Sequence, residues 1–249
     1  MTARLVLITG VTGGFGAAMA KRFAAQGYKL ALHARDKNKF DQLAATLGKA
    51  EVIPLIFDMR DIPAMEDAVK GLPPVDILVN NAGLALGIEP AQRADIRDWD
   101  DMIATNVTGL VHLTHLLLPQ MAERKSGHVV NIGSVAGSWP YPGGNVYCAT
   151  KAFVKQFSLA LRSDLHGTGV RVTDIEPGLA ETNFSIARFK GDTQKAASIY
   201  AGTTPLSGED IAEAVFWAVS LPAHVNINSI EIMPTVQSFA GFNVYREQQ

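Results

Sequence analysis

The sequence predicts an α/β fold: a doubly wound parallel sheet in a single domain. Three observations predict it. Short apolar runs alternate with helical patterns of about ten residues or more, the arrangement of βαβ units. A glycine cluster follows the first run, where a strand would turn into a helix. No repeat, low-complexity tract or linker divides the 249 residues. Right-handed crossovers then place helices on both faces of the sheet.

The elements follow in chain order. Residues 4–8 are an apolar run ended by Thr9-Gly10, the pattern of a buried strand. Residues 15–26 are Ala-rich, with Met19, Phe23 and Ala24 at helical spacing and Gly27 as a stop. Residues 28–34 read as the second strand and residues 40–47 as a helix ending at Gly48. Residues 51–57 are the third strand, residues 62–71 the third helix and residues 75–79 the fourth strand. Residues 99–123 form one long helical pattern that ends near Gly127. Strands are expected at 129–132, 170–175 and 227–233, with helices at 146–165 and 209–221. Residues 178–205 read as an irregular insertion near the site, and residues 233–249 as an apolar tail with little helical period.

Composition narrows the function classes. Apolar residues make up 47% and charged residues 18%, near the globular average. With 22 basic and 24 acidic side chains the net charge is −2, which offers no broad attraction for nucleic acid. The single cysteine, Cys148, excludes an intramolecular disulfide and a cysteine-rich zinc site and suits a reducing compartment. The six histidines show no metal-ligand spacing; His112 and His115 read as structural, and no metal is expected. A spanning helix needs ~20 mostly apolar residues, and the run 110–119 is interrupted by His112, Thr114 and His115. The apolar start, Leu5-Val6-Leu7-Ile8, is too short for a signal peptide. The expected protein is cytoplasmic, with neither a membrane nor a nucleic acid as partner.

Residues 9–16 read Thr-Gly-Val-Thr-Gly-Gly-Phe-Gly. Gly10, Gly14 and Gly16 allow a tight turn and a close backbone approach to a pyrophosphate at the positive helix end, with Thr12 and Phe15 in the same loop. The second strand should end at Ala34, where NAD binders often carry a carboxylate for the ribose 2′-hydroxyl. Arg35 follows instead, and its guanidinium suits a 2′-phosphate, so NADP(H) is the expected cofactor. Asp36 complicates that reading, since a shift of one residue reverses it. Further on, Tyr147 and Lys151 lie four apart, hence on one helix face. An adjacent ammonium lowers a phenol pKa and makes tyrosine a usable acid or base. Ser134, at the end of the strand at 129–132, can hydrogen-bond a substrate carbonyl.

In this order the motifs resemble those of the short-chain dehydrogenase/reductase family, in its single-domain branch. The resemblance rests on the glycine loop, Asp58, Asn80-Asn81-Ala82-Gly83, Asn106, Ser134, Tyr147 with Lys151, and Pro177-Gly178. It implies a Rossmann-type sheet of seven strands in the order 3-2-1-4-5-6-7, and a homotetramer whose dimer faces are the two long helices. Tyr147 is then the proton donor to the carbonyl oxygen, and Lys151 holds the nicotinamide ribose and lowers the Tyr147 pKa. Ser134 orients the carbonyl, and Asn106, the fourth catalytic position, holds a helix kink and a water. Asp58, with Met59 beside it, meets the adenine. Asn81, with Ala82 and Gly83, meets the adenosine ribose region, or Asn80 and Asn81 mainly tie strand ends together. Pro177, Gly178 and Thr182 border the nicotinamide amide or the phosphates, or Thr182 caps a helix.

The stretches 133–147, 176–179, 188–192 and 221–228 narrow the resemblance to the NADP-dependent 3-hydroxy acid dehydrogenases. Those enzymes act on serine, allo-threonine and 3-hydroxypropionate and reduce malonic semialdehyde. Sulfoacetaldehyde reduction and broad carbonyl or 3-oxoacyl reduction are the alternatives. A small anionic substrate needs a cation, for which Arg188 is the first candidate and Lys190 the second. Trp139 and Tyr141 are expected to wall the pocket, or else to pack in the core or at an interface. Cys148 reads as a buried, inert thiol.

Overall fold

Parallel strands covered on both sides need apolar residues at successive positions, and the first strand has them. The computed structural model describes residues 4–182 and 184–239. In it all four residues of β1 (Leu5–Ile8) are buried. The chain continues through α1 (Gly14–Ala24), β2 (Lys29–Ala34), α2 (Lys37–Ala44), β3 (Val52–Ile56), α3 (Ile62–Val69) and β4 (Ile77–Asn80). Next come α4 (Ile96–Ile103), α5 (Leu110–Glu123), β5 (Gly127–Ile132), α6 (Asn145–Asp164) and β6 (Val170–Pro177). The last elements are α7 (Phe184–Arg188), α8 (Thr193–Ser198), α9 (Gly208–Ser220) and β7 (Ser229–Ile232).

The seven strands form one sheet in the order β3-β2-β1-β4-β5-β6-β7, and every pair is parallel. The expected strand order is met. Alternate side chains divide the core between two faces. Val6, Ile8, Leu30, Leu32, Ile77 and Val79 pack with Met19 and Phe23 of α1 and Ile211 and Val215 of α9. Leu5, Leu7, Leu78, Val129 and Val172 pack with Leu113, Leu117 and Met121 of α5 and Leu161 of α6. The order reverses between β1 and β4, which opens a crevice at the carboxyl ends of the strands.

Several boundaries differ from the sequence reading, for local reasons. α2 begins at Lys37 because the Asp36 carboxylate accepts the Lys39 N–H at 3.1 Å and caps it. The expected long helix starts earlier, at Ile96, below the cap made by Asp95. It runs unbroken to Glu123 through a π-helical segment, Ala104–Gly109. By length and composition this 28-residue helix could cross a membrane. Its apolar side instead packs on the sheet through Leu113, Leu117 and Met121. His112 and His115 lie on its exposed side rather than in a structural interior. The insertion at 178–205 is not irregular: it contains α7 and α8, the latter capped by Asp192. Of the tail, residues 233–239 are described; Gly241, Phe242, Val244 and Tyr245 lie outside the described residues.

One buried cation ties α9 to the sheet. Arg171, on β6, donates to the carbonyls of Ala218, Val219, Leu221 and Val225 at 2.9–3.3 Å. The first two belong to the last turn of α9, whose carbonyls lack partners within the helix and face the negative end of its dipole. Arg171→Leu should cost about 3 kcal/mol, because it strands buried carbonyls. The urea midpoint reads that loss, while activity per folded molecule should change little.

Candidate active site

The crevice is a cleft of about 880 Å³ at the β1–β4 reversal. Gly10, Thr12, Gly14 and Phe15 line it, as the sequence predicts. Gly10 has φ +69°, and a Cβ there would stand 2.9 Å from the Ala82 Cα. A Cβ on Gly14 would stand 2.6 Å from the Thr182 Cγ2. Gly16 is not on the cleft wall; a Cβ there would reach the Gly10 carbonyl oxygen at 2.5 Å. Its role is to let α1 close on the turn. The loop therefore forms a cradle that side chains would fill, at the N-terminus of α1, where N–H groups point outward. That space and polarity fit a dinucleotide pyrophosphate.

Thr9 and Asn81 join the strands beside this cradle. The Thr9 hydroxyl accepts the N–H groups of Asn81 at 2.9 Å and Ala82 at 2.8 Å. The Asn81 amide donates to the carbonyls of Thr9 at 2.8 Å and Gly10 at 3.2 Å. Asn80 donates to Thr114 and Asn131, both at 2.9 Å, inside the core. Of the two readings of these asparagines, tying strand ends is the one the hydrogen bonds support, although Asn81, Ala82 and Gly83 also line the cleft.

At the far end, Arg35, Asp58 and Met59 line the cleft. Asp36 does not, since its carboxylate caps α2, which removes the complication in the cofactor reading. The Asp58 carboxylate is held by Arg60 at 2.8 Å, with Arg35 at 4.0 Å. The Arg60 hydrogen bonds pull the Asp58 pKa down to about 2. Lys39 and His33 also line this end, and the sequence reading did not single them out. His33 accepts the Gly10 N–H at Nδ1 over 3.2 Å, so its Nε2 donates to the Phe57 carbonyl at 2.9 Å. Burial lowers its pKa to about 4 and keeps it neutral. The available signal was a histidine at the end of the apolar run Leu30-Ala31-Leu32.

Ser134, Tyr147 and Lys151 meet at the other end of the cleft. Ser134 follows β5, and Tyr147 and Lys151 lie on buried positions of α6. The Lys151 ammonium donates to the Ile132 carbonyl at 2.8 Å and lies 5.9 Å from the centre of the Tyr147 ring. Burial pulls its pKa down to about 8, against the Asp174 charge, which raises it. Tyr147 departs from expectation. Burial pushes its phenol above the ordinary tyrosine value, and Tyr141 adds to this, while Ser134 and Arg188 pull back. Desolvation of the phenolate outweighs the Arg188 charge and the Ser134 hydrogen bond, and Tyr147 holds its proton at neutral pH. Asn106 is not on the cleft wall. It lies in the π segment, exchanges two hydrogen bonds of 2.8 Å with the Leu84 backbone and donates to Thr150 at 3.1 Å. It ties the π segment to the Leu84 backbone and to α6.

Pro177, Gly178 and Thr182 line the middle of the cleft. The Thr182 hydroxyl also accepts the Phe184 N–H at 3.2 Å, at the start of α7. Arg188 is not on the wall but stands behind it, 5.1 Å from the Tyr141 ring centre and 5.9 Å from that of Tyr147. Its Nε donates to the Gly87 carbonyl at 3.3 Å, and no carboxylate pairs with it among the described residues. Lys190 reaches the wall but is paired with Asp98 at 2.9 Å, which weakens it as a second anion site. Trp139 does not wall the pocket. It is 39% exposed, donates to Glu231 at 3.0 Å and packs on Phe239 at 4.5 Å between ring centres. Tyr141 packs beside the site with Cys148, which is buried. Burial raises the Cys148 thiol pKa, consistent with an inert thiol.

Residues 4–193 match the sequence model of the short chain dehydrogenases. The chain belongs to the short chain dehydrogenase family. Within that family it is similar to the NADP-dependent 3-hydroxy acid dehydrogenase of Escherichia coli (strain K12). The two are 55% identical over 248 residues, covering 98% of this chain and 100% of that one. Serine 3-dehydrogenase of Agrobacterium fabrum is 52% identical over 246 residues, covering 97% and 98%. A solved short chain dehydrogenase, the closed form of serine dehydrogenase complexed with NADP+, superposes with a TM-score of 0.94. It is 55% identical and is matched over 98% of this chain and 100% of that one.

The neutral His33 makes the cleft acid-sensitive. The unfolded chain protonates this imidazole near 6.5 and the folded chain near 4, so stability present above pH 6.5 is lost as pH falls toward 4. The loss is about 3 kcal/mol. His128, lowered to about 3 by burial, acts in the same direction. In His33→Asn the fall in urea midpoint between pH 7 and pH 5 should be smaller by about 2 kcal/mol equivalent.

Proposed function

We propose that this short chain dehydrogenase is an NADP-dependent oxidoreductase acting on a small 3-hydroxy acid or its 3-oxo form. Serine, allo-threonine and the pair 3-hydroxypropionate and malonic semialdehyde are the substrate types. The observation that carries the reading is the meeting of Ser134, Tyr147 and Lys151 at one end of the cleft, with Arg188 beside Tyr147. The names of the relatives support both the cofactor and the substrate class.

The glycine cradle and the α1 N-terminus would hold the pyrophosphate of NADP(H), and Arg35 would hold the 2′-phosphate. Lys39 adds a second cation at that end. Bound there, the cofactor supplies or accepts the hydride. Lys151 would bind the nicotinamide ribose, and Pro177, Gly178 and Thr182 would border the nicotinamide. Ser134 orients the substrate carbonyl through its hydroxyl. Tyr147, whose phenol keeps its proton at neutral pH, gives it to the carbonyl oxygen during reduction and takes it back during oxidation. Arg188 holds the substrate carboxylate, and Tyr141 keeps the guanidinium in place.

We also place the protein in the cytoplasm, as a homotetramer. Ile103, Phe153 and Leu159, at the end of α4 and along α6, are exposed apolar side chains suited to a subunit contact.

A panel of malonic semialdehyde, sulfoacetaldehyde and a 3-oxoacyl thioester, each with NADPH, tests the substrate class. Serine and 3-hydroxypropionate test the reverse direction. Malonic semialdehyde is expected to turn over fastest, and a preference for the thioester would overturn the reading. In the same assays Tyr147→Phe should lower kcat at least 1,000-fold, roughly the upper part of the general acid–base range, with NADPH binding retained. Arg188→Ala should raise KM for carboxylate substrates about tenfold or more and spare neutral carbonyls. An unchanged ratio between the two would remove Arg188 from the site.

A further inference from the structure

Beneath the catalytic end lies a carboxylate to which neither the sequence motifs nor the proposed mechanism gives a task. Asp174, on β6, is 2% exposed; among the described residues no side chain hydrogen-bonds its carboxylate oxygens, and the Gly133 N–H beside it favours its charge. Such a group is costly unless charge nearby compensates it. Its position is defined by the sheet. Val170 and Val172 pack with Leu161 of α6 and Leu165 just after it, and alternate strand residues share a face, so Asp174 and Glu176 also face α6. The ion pair of 2.8 Å between Glu176 and Lys155 of α6 agrees with this. Beside Asp174 in the sheet stands Asn131, whose amide donates to Ser158 of α6 at 2.8 Å.

The carboxylate reaches the stretch that carries the catalytic groups. A Cβ on Gly133 would stand 2.5 Å from Asp174 Oδ1, so the absence of a side chain at Gly133 makes room for it. Gly133 separates Ile132, whose carbonyl accepts the Lys151 ammonium, from Ser134. We propose that Asp174 is a positioning residue for the known reaction type: its buried carboxylate is the counter-charge that keeps Lys151 an ammonium. This rests on the assignment of Lys151 and Tyr147 above.

The charged surroundings fit that task. Facing Asp174 are Lys151 and Lys155 from α6, and its like-charged neighbour on β6 is Glu176, which Lys155 neutralises. On β7, Ser229 is its register partner, and Glu231, opposite Glu176, is held by the Trp139 indole. Lys155 is therefore already paired, and among the described residues the hydrogen-bond partner of Lys151 is a neutral carbonyl. The Asp174 charge raises the Lys151 pKa against the larger effect of burial. Burial and Glu176 in turn raise the Asp174 carboxyl to about 7, so its charge changes where the enzyme works.

The test is the alkaline limb of kcat for carbonyl reduction, along which Lys151 loses its proton. In Asp174→Asn the limb should move to lower pH by about one unit, since the ammonium loses its counter-charge. That is about a fivefold loss of kcat at a pH one unit above the new limb, relative to wild type. Asp174→Leu, which removes the charge and needs no polar partner, should move the limb in the same direction. A uniform fall of kcat at every pH, with the limb in place in both variants, would mean a structural role only and overturn the proposal. Loss of all turnover in Tyr147→Phe together with an unmoved limb in the Asp174 variants rejects this inference and leaves the proposed function standing. Retained turnover in Tyr147→Phe rejects the function itself.

Discussion

The knot between Thr9 and Asn81 is the contact on which the site depends. It joins the ends of β1 and β4, the two strands between which the sheet reverses its order. A crevice between diverging crossovers has no covering layer of its own. Without a fixed distance between the two strand ends, the glycine turn on one side and Ala82-Gly83 on the other would have no defined separation. The knot supplies that distance with side-chain bonds where ladder bonds have ended. Gly10 and Gly16 then allow the backbone to fold into the small volume left.

A second theme is that polar groups in this protein act through burial more than through net charge. With a balance of −2 the surface attracts no anion broadly. The cations around the cleft are local: Arg35 and Lys39 at one end, Lys151 at the other, with Arg188 behind the wall. Desolvation is the largest cause of the shift for His33 at one end and for Tyr147 and Lys151 at the other, while Asp58 answers to Arg60. Desolvation keeps His33 neutral, strengthens the hold of Tyr147 on its proton and weakens that of Lys151.

Most of the fold was legible because parallel strands write themselves as apolar runs and helices as periodic ones. The glycine loop and the Tyr147–Lys151 pair were legible because a turn and a helix face are local geometry. What escaped was of three kinds. Helix starts moved where a capping carboxylate decided them, as at Asp36 and Asp95. The two short helices in 178–205 were hidden because their order depends on contacts with distant segments, such as Gly87 with Arg188. Trp139 was misplaced because an aromatic residue beside a motif can face either side of its loop, and only the tertiary structure shows that it meets Glu231 and Phe239. The direction of the Tyr147 shift was out of reach too, since burial of a phenol is a property of the whole packed site.

The π segment at Ala104–Gly109 has a consequence for how this chain can change in length. Each residue of an α-helix turns the next by about 100°, and a π turn accommodates one residue more than an α turn. Upstream, Met102 packs in the cluster that holds Tyr147; downstream, Leu113, Leu117 and Met121 pack on the sheet. Both halves can be in phase only because the segment absorbs the mismatch. Deleting one of its residues other than Asn106 would turn the segment into ordinary α-helix and leave both flanks in phase, whereas a deletion within α5 itself would rotate the apolar side chains beyond it by about 100° relative to the sheet. The segment works as slack in a reading frame written in angles: it is the one stretch of this long helix where a change of one residue can be absorbed, while the α-helical turns on either side cannot take one.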